Sequence, residues 1–219
     1  MSNSPQKKPG KYHHGDLRQA LVHGALRELE RGRAEALSLR ALGRALGVSP
    51  RAPYRHFATK EALLAAVAVE GLRRFEAFVS VRIASAGPDP VAKLRAIAAA
   101  YVLFAVEHPA AFRVMYAPYA TVEEDAPELV LARSEGHRAS MAVIVAGQKA
   151  GLLRGGDPMQ LALALWTSMH GLAVLLTEGQ LGRYDRPVDA EILSALVSGL
   201  LLDGLRRRPR ARAKPRKRG

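Results

Sequence analysis

The stretch SLRALGRALGVSPRAPYRHFATKEALL, Ser38 to Leu64, predicts two short helices joined by a tight turn and the start of a third helix. Its apolar residues recur at three- and four-residue spacing and therefore share one helix face; they are Leu39, Leu42, Ala45 and Leu46. Gly47 supplies the backbone freedom that a tight turn needs, and Ser49 followed by Pro50 is a typical helix start. This pattern indicates a helix-turn-helix.

The predicted second helix of this motif is rich in hydrogen-bond donors, namely Arg51, Tyr54, Arg55 and His56. Pro53 removes one backbone donor from the first turns of that helix, so we expect the helix to begin irregularly. We expect Arg55 to be a surface or salt-bridged residue rather than one that contacts a base.

The length of 219 residues allows one large or two small domains, and the hydrophobic share of 48% is enough for a packed core. The absence of cysteine excludes disulfides and thiolate metal sites and fits a reducing compartment. No apolar signal sequence is visible at the N-terminus, and the most apolar run, Leu161 to Leu176, is too short to cross a bilayer. We therefore expect a cytoplasmic protein with no membrane partner.

The net charge of +13 is concentrated at the two ends of the chain. Residues 1–60 hold 12 Lys/Arg and 4 Asp/Glu, and residues 206–219 hold 9 Lys/Arg and no acid, whereas residues 61–205 carry a net charge of −4. Basic ends around an acidic centre suggest a polyanion that is bound at the ends. For the tail at 206–219, a solubilising or membrane-binding role is the rival interpretation, and DNA is favoured.

Periodicity and helix-ending residues predict an all-α chain of about nine helices with no strand. Besides the motif, the predicted helices cover 15–31, 59–84, 91–107, 110–116, 128–150, 159–178 and 188–207, with loops at 118–127 and 182–187. We predict a disordered basic arm at 1–12, a helix-turn-helix domain at 13–70, a helical domain at 71–205 and a disordered basic tail at 206–219. The last two helices are too apolar to face water on all sides, which suggests burial against a second copy.

Residues 11–64 resemble the DNA-binding domain of the TetR family of bacterial regulators. The resemblance is carried by Gly47-Val48-Ser49 at the turn, by Tyr54-Arg55-His56-Phe57 and by Lys60-Glu61-Ala62-Leu63. Pro53 departs from the family pattern, which usually has an aliphatic residue there. Further along the chain, Glu107-His108-Pro109 and Trp166 with His170-Gly171 are similar to a subclass named for its Trp-His-Gly signature.

The resemblance implies a cytoplasmic, nucleoid-associated bacterial repressor that binds a palindromic operator in double-stranded DNA as a homodimer. It also implies that residues 71–205 provide both the dimer interface and the site of a small-molecule effector that releases the DNA. Two alternatives remain open: a constitutive architectural DNA-binding protein, and a helical small-molecule carrier with basic anchoring segments.

Three residues are predicted to contact bases. Arg40 matches a family position that reaches a base, and an arginine can bond guanine O6 and N7 together. Arg51 and Ala52 lie at the start of the predicted recognition helix, where side chains face base edges. Five residues are predicted to contact phosphates, namely Ser38, Tyr54, His56, Lys60 and Lys11. Of these, Tyr54, His56 and Lys60 match family positions. For Lys60, a purely surface role is the alternative.

Trp166 and His170 lie four residues apart and share a helix face, which suggests a pocket wall with one polar group. The other predicted pocket residues are Tyr101, Phe104, Phe112, Met115 and Met141. This mixture favours an apolar or aromatic effector. The alternative is that Trp166 packs in the core and that His170 bonds a neighbouring residue or a partner subunit.

The sequence contains no pattern typical of an enzyme. It has no cysteine nucleophile, no Gly-x-Ser-x-Gly and no Walker A motif. His13 and His14 are adjacent rather than four residues apart, and neither His108 nor His137 has a carboxylate or histidine three or four residues away. We therefore expect no catalytic residue, no metal and no cofactor.

Overall fold

The structure, a computed structural model, describes residues 14–32, 37–117, 127–183 and 188–206. Within them the chain forms eight α-helices and two 3₁₀ helices, and no strand. The helices are α1 His14–Glu30, α2 Leu39–Ala45, α3 Lys60–Ser85, α4 Pro90–Glu107, α5 Pro109–Tyr116, α6 Pro127–Lys149, α7 Pro158–Thr177 and α8 Ala190–Leu205, with 3₁₀ helices at Pro53–Arg55 and Gln180–Arg183. The predicted all-α fold is confirmed. The predicted arm at 1–12, the tail beyond Arg206 and most of the two predicted loops lie outside the described residues.

The prediction of an α-helix that begins at Ser49 is wrong. Residues 49–57, which we call the Pro53 segment, form turns and the short 3₁₀ helix Pro53–Arg55. In an α-helix the N–H of residue 53 would bond the carbonyl oxygen of Ser49, and proline has no N–H to donate. The Ser49 carbonyl instead accepts a bond from the N–H of Ala52, at 3.0 Å. The count of about nine helices therefore falls to eight α-helices in the described chain.

Side-chain caps fix where several helices begin. The Ser38 hydroxyl oxygen accepts a bond from the Ala41 N–H at 3.1 Å, and the Thr59 hydroxyl oxygen accepts one from the Ala62 N–H at the same distance. Carboxylates do the same for α4, α7 and α8, through Asp89, Asp157 and Asp189. Each cap satisfies N–H groups that have no partner inside the helix, and such a cap stabilises a helix by about 1 kcal/mol.

The described chain divides into two compact units. The first takes in the described residues up to Gly71 together with those of Ala110–Val130. Within it α1 packs against α2, and both contact the 3₁₀ helix of the Pro53 segment. The second takes in Leu72–Pro109 and the described residues from Leu131 onward. Within it α4 packs against α7 and α8, and α7 packs against α8.

Helix α7 is long and apolar enough to cross a membrane, with 20 residues and a mean hydropathy of 1.5 in its most apolar window. The expectation that its apolar run is too short is therefore wrong. Length and composition are weak evidence for a membrane span, however, because the core helix of a soluble protein has the same properties. Residues of α7 such as Met169 and Ala173 are fully buried inside the second unit.

Gly43 allows α2 to lie directly against the Pro53 segment. A Cβ atom built on Gly43 would lie 2.9 Å from Cγ of Pro53 and 3.6 Å from the carbonyl oxygen of Ser49. The proline ring cannot rotate away as a flexible side chain can, and Pro53 is itself buried. Any side chain at position 43 would therefore push α2 and the Pro53 segment apart.

We expect Gly43→Ala to lower the free energy of unfolding by about 1–3 kcal/mol, the usual cost of forcing a methyl group into a packed site. The measurement is chemical denaturation at one fixed protein concentration. Gly136→Ala is the matched control, because Gly136 is also helical and a Cβ there would meet no atom within 4 Å. The control should be neutral or stabilised by up to about 1 kcal/mol, since alanine favours helix over glycine. Equal stability changes in the two variants would contradict the close packing at Gly43.

Candidate nucleic-acid interface and ligand site

Helix α2 presents two exposed arginines on one face. Arg40 and Arg44 are four residues apart, and both are exposed. Ser38 lies at the start of the same helix, where its hydroxyl oxygen is already occupied as the cap acceptor. Its O–H remains able to donate, so the capping role is compatible with the predicted phosphate contact.

The Pro53 segment presents the other predicted DNA-contacting side chains. Arg51 is exposed, Ala52 is half-buried, and Tyr54 has 46% of its surface exposed. His56 and Lys60, the first residue of α3, are half-buried. The segment is held to the protein by buried Pro53 and by Phe57, which is 3% exposed and whose ring centre lies 5.4 Å from the Arg18 guanidinium.

Four arginines in this region carry unneutralised charge. Among the residues that the structure describes, no acidic side chain forms an ion pair with Arg40, Arg44, Arg51 or Arg55. A guanidinium that is exposed and unpaired is ready to bind a phosphate or a guanine without first losing an internal partner. Sequence reasoning did not identify Arg44 as exposed on the face of Arg40, although the i, i+4 spacing was available. Lys11 lies outside the described residues.

The second unit contains a hydrogen-bonded trio, Trp166, Tyr101 and His170, which we call the Tyr101 network. The indole N–H of Trp166 donates to the Tyr101 hydroxyl oxygen at 3.2 Å. The same hydroxyl lies 2.8 Å from Nδ1 of His170. Tyr101 is only 6% exposed, whereas Trp166 and His170 are half-buried. The predicted pair on α7 is thus joined to α4 by one shared phenol.

The chemistry of the groups fixes one bond direction in the network. An indole nitrogen can only donate, so the Tyr101 oxygen accepts from Trp166. Between the Tyr101 hydroxyl and Nδ1 of His170 the donor is set by the tautomer of the imidazole, since a phenol can both donate and accept. Burial lowers the pKa of His170 below its ordinary value, because desolvation disfavours the charged imidazolium. Burial therefore favours the neutral form.

A chain of rings extends outward from this network. His137 of α6 lies 5.6 Å from the Trp166 ring, and its Nδ1 lies 2.9 Å from the carbonyl oxygen of Arg133. From Tyr101, the chain runs to Phe75, which it contacts edge-on at 5.5 Å, and the rings of Phe75 and Phe104 are 5.3 Å apart. The chain continues through Phe78 and His108. These edge-on and tilted contacts are the favourable geometries for aromatic pairs.

The structure brings together four of the seven predicted pocket residues, namely Tyr101, Phe104, Trp166 and His170. Phe112 and Met115 are buried in the first unit instead, where the Phe112 ring contacts the Tyr116 ring in a tilted arrangement. Met141 is half-buried on α6. Sequence reasoning missed Phe75, Phe78 and His137. Phe75 and Phe78 had a signal, because residues three apart on a helix face the same side.

Within the described ranges, no group of three or more His, Asp or Glu side chains is arranged to hold a metal ion. His137 and His170 both lie beside the Trp166 ring, but Nδ1 of each is already engaged, with the Arg133 carbonyl and the Tyr101 hydroxyl respectively. The arrangement instead combines aromatic rings with one imidazole, which are the types of group that line sites for organic molecules.

We expect the protein to lose stability as the pH falls below about 6.5, the ordinary pKa of histidine. The unfolded chain binds a proton at His170 before the folded chain does, so each step below that pH favours unfolding until the folded pKa is passed. The free energy of unfolding at pH 8 and at pH 5.5 measures this loss. His170→Gln should lose less stability over the same range, since the variant lacks this one group whose pKa burial lowers. Identical pH dependence in the two proteins would contradict the assignment.

Two family profiles match the chain. The profile described as "Bacterial regulatory proteins, tetR family" matches residues 21–67, and the one described as "Tetracyclin repressor-like, C-terminal domain" matches residues 94–200. The first covers α2 and the whole Pro53 segment, and the second covers all three members of the Tyr101 network. The similarity to the Trp-His-Gly subclass stays a prediction. No curated protein sequence matches the chain.

Three solved structures illustrate the fold. A protein with unknown function from Rhodococcus sp. RHA1 is 32% identical, covers 90% of this chain and 98% of its own, and superposes with a TM-score of 0.79. The TetR family transcriptional regulator PfmR from Thermus thermophilus is 23% identical, with coverages of 85% and 99% and a TM-score of 0.64. AibR, solved in complex with isovaleryl coenzyme A and operator DNA, is 20% identical, with coverages of 84% and 97% and a TM-score of 0.62.

The helix-turn-helix region with its exposed arginines, the all-α second unit and the two matching profiles agree, and the chain belongs to the TetR family of bacterial transcriptional regulators.

Proposed function

We propose that this regulator is a repressor that binds a palindromic operator as a homodimer and releases it when a small-molecule effector binds the second unit. The observation that carries the proposal is the set of exposed arginines in the profile-matched region, which have no acidic partner in the described chain. A DNA-binding surface needs cations that are free to meet phosphates and bases. We propose a cytoplasmic location, associated with the nucleoid, and no catalytic activity.

In this proposal the side chains divide into two kinds of contact. Arg40, Arg51 and Ala52 contact base edges, where arginine selects guanine and a methyl group contacts thymine. Ser38, Tyr54, His56, Lys60 and Lys11 contact phosphates and fix the position of the protein on the duplex. The basic arm at 1–12 and the basic tail at 206–219 add affinity that does not depend on sequence, because their charges release counterions from DNA.

The homodimer is supported by an apolar stripe on α8. Ile192, Leu196 and Leu200 are spaced four residues apart, and their exposed fractions are 69%, 55% and 68%. Leu163 and Leu175 of α7, which packs against α8, are also exposed. Leucine and isoleucine side chains on one continuous helix face gain about 25 cal/mol for each Å² that a partner covers. A second copy with the same stripe can cover them symmetrically.

The effector site is proposed at the Tyr101 network. Its rings offer apolar faces to an organic molecule, and its imidazole offers a polar contact, so an apolar or aromatic effector with one polar group fits best. AibR, which has the same fold, was solved with both an acyl coenzyme A and operator DNA bound. This supports the idea that the fold can hold an effector and contact DNA in one chain.

The proposal is tested by selecting binding sites from a random-sequence DNA library with the full-length protein. A short palindrome and a protected footprint over it are the expected results, and DNA bound without any sequence preference would count against a repressor. Effector candidates are then screened for release of that DNA. Trp166 is the only tryptophan in the chain, so its fluorescence reports binding at the Tyr101 network directly. Release without a change in Trp166 emission would place the effector elsewhere.

Arg51→Ala should weaken binding to the selected operator and relax the choice of base at one position of each half-site, at a cost of about 1–3 kcal/mol. Lys60→Ala should instead weaken binding to all sequences alike, with a shallower dependence on salt. Affinities for operator and for unrelated DNA at several salt concentrations separate the two effects. If Arg51→Ala lowers both affinities equally, Arg51 contacts phosphate and not a base.

Leu196→Glu should convert the dimer into a monomer, because each copy would place a buried charge in the shared interface. Leu131→Glu is the control, since Leu131 on α6 has the same 55% exposure and lies outside the α8 stripe. Light scattering at micromolar concentration distinguishes the two variants. A monomeric wild-type protein under those conditions, or a dimeric Leu196→Glu variant, would contradict the proposed interface.

A further inference from the structure

From Ala52 to His56 the backbone of the Pro53 segment follows a three-residue repeat, and at Phe57 the N–H also bonds the Pro53 carbonyl, four residues earlier. The N–H groups of Ala52, Tyr54, Arg55 and His56 each bond the carbonyl oxygen three residues earlier, at 3.0–3.2 Å. This is the bonding pattern of a 3₁₀ helix, which has three residues per turn and rises about 2.0 Å per residue. Pro53, which has no N–H, contributes only its carbonyl to the pattern.

A three-residue repeat aligns side chains differently from an α-helix. In such a repeat residues i and i+3 eclipse one another, so the bonding pattern aligns Arg51 with Tyr54 and Ala52 with Arg55. The third row holds Pro53, which is buried, and His56, which is half-buried. In an α-helix Arg51 and Arg55 would share one face as an i, i+4 pair. An ideal three-residue repeat instead separates the two residues into two rows, about 120° apart around the axis.

Arg55 is exposed, and within the described chain its guanidinium forms no hydrogen bond or ion pair. Of the two expectations for Arg55, a surface residue or a salt-bridged one, the described structure agrees with the first. Ala52, which the bonding pattern aligns with Arg55, has only a methyl side chain and leaves the guanidinium uncovered. Arg51 and Arg55 are thus both exposed, and the three-residue repeat directs them differently.

We infer that Arg55 is a second base-contacting arginine and that it binds a guanine which Arg51 does not reach. The inference rests on the proposed DNA-binding function. Arg51 and Arg55 are four residues apart, and at the rise of about 2.0 Å per residue of a three-residue repeat they are separated by about 8 Å along the axis, which corresponds to roughly two base-pair steps of about 3.4 Å. Each guanidinium can bond O6 and N7 of its own guanine. Each half-site then requires two guanines about two steps apart.

Pro53 and Gly43 are the positioning residues for this arrangement. The Pro53 ring lies where a Cβ atom on Gly43 would clash with it, so the segment packs directly against α2. Since the rows are fixed relative to α2, they are also fixed relative to Arg40, the third predicted base contact. Both Gly43 and Pro53 are buried, so their effect on DNA binding comes only from the way they orient the exposed arginines.

The experiment is site selection from random-sequence DNA with four full-length proteins: wild type, Arg51→Ala, Arg55→Ala and Arg44→Ala. Arg44→Ala is the charge-matched control, because it also removes one exposed, unpaired arginine from the first unit. Wild type should select two guanine positions in each half-site. Arg55→Ala should relax one of them by roughly 5- to 150-fold, Arg51→Ala should relax the other by a similar factor, and Arg44→Ala should relax neither.

The outcomes separate this inference from the proposed function. If Arg55→Ala keeps the wild-type base preferences and loses affinity for all sequences alike, Arg55 contacts phosphate and the inference is overturned, while the repressor proposal stands. If Arg51→Ala and Arg55→Ala relax the same position, the two-row arrangement is overturned. If wild type selects no sequence at all, both the function and the inference fail. Arg55→Lys, which keeps the charge on an exposed position, should also relax the position because it loses the bidentate geometry.

Discussion

The missing backbone donor at Pro53 is the constraint on which the DNA-facing part of the structure depends. An α-helical continuation needs an N–H at this position, and without one the backbone closes i to i+3 instead. The proline ring then occupies the space that a Cβ on Gly43 would fill. A residue that weakens helix formation thus serves as a packing element. It fixes the directions in which Arg51 and Arg55 point, and a regular helix would give the two arginines one shared face.

In the second unit, one hydroxyl group, that of Tyr101, bonds both Trp166 and His170. Tyr101 accepts from an indole that can only donate, and its hydroxyl also bonds the imidazole of His170. Loss of that hydroxyl would remove a hydrogen-bond partner from two half-buried polar groups, which costs more than the net contribution of a typical hydrogen bond. The network therefore joins α4 to α7, and burial lowers the pKa of His170 and so favours its neutral form. A ligand that displaced it would have to replace both bonds.

The sequence predicted most of the helix ends but not the state of the Pro53 segment. Caps and breakers such as Thr59, Asp157 and Gly32 act locally, so their effect can be recognised without tertiary structure. The conflict between Pro53 and the helix-forming pattern around it was visible, yet its outcome depended on Gly43, ten residues away, which sequence spacing does not connect to it. The Tyr101 network is similar: the Trp166–His170 pair follows from i, i+4 spacing, whereas their junction with Tyr101 joins positions 65 and 69 residues apart.

In the proposed function, the exposed arginines of the first unit and the exposed apolar stripe of α8 in the second unit both contribute to the free energy by which the operator is preferred over other DNA. A bidentate arginine contact discriminates by about 1–3 kcal/mol, so two arginines in one Pro53 segment supply about 2–6 kcal/mol. Selecting one operator from a genome requires about 4–10 kcal/mol of preference over non-specific DNA. The two arginines of one copy reach only the lower part of that range, and the four arginines of two copies span it. In the proposed dimer, the exposed apolar stripe of Ile192, Leu196 and Leu200 is therefore as necessary to specificity as the arginines, because pairing through this stripe would bring a second set of arginines to the same DNA.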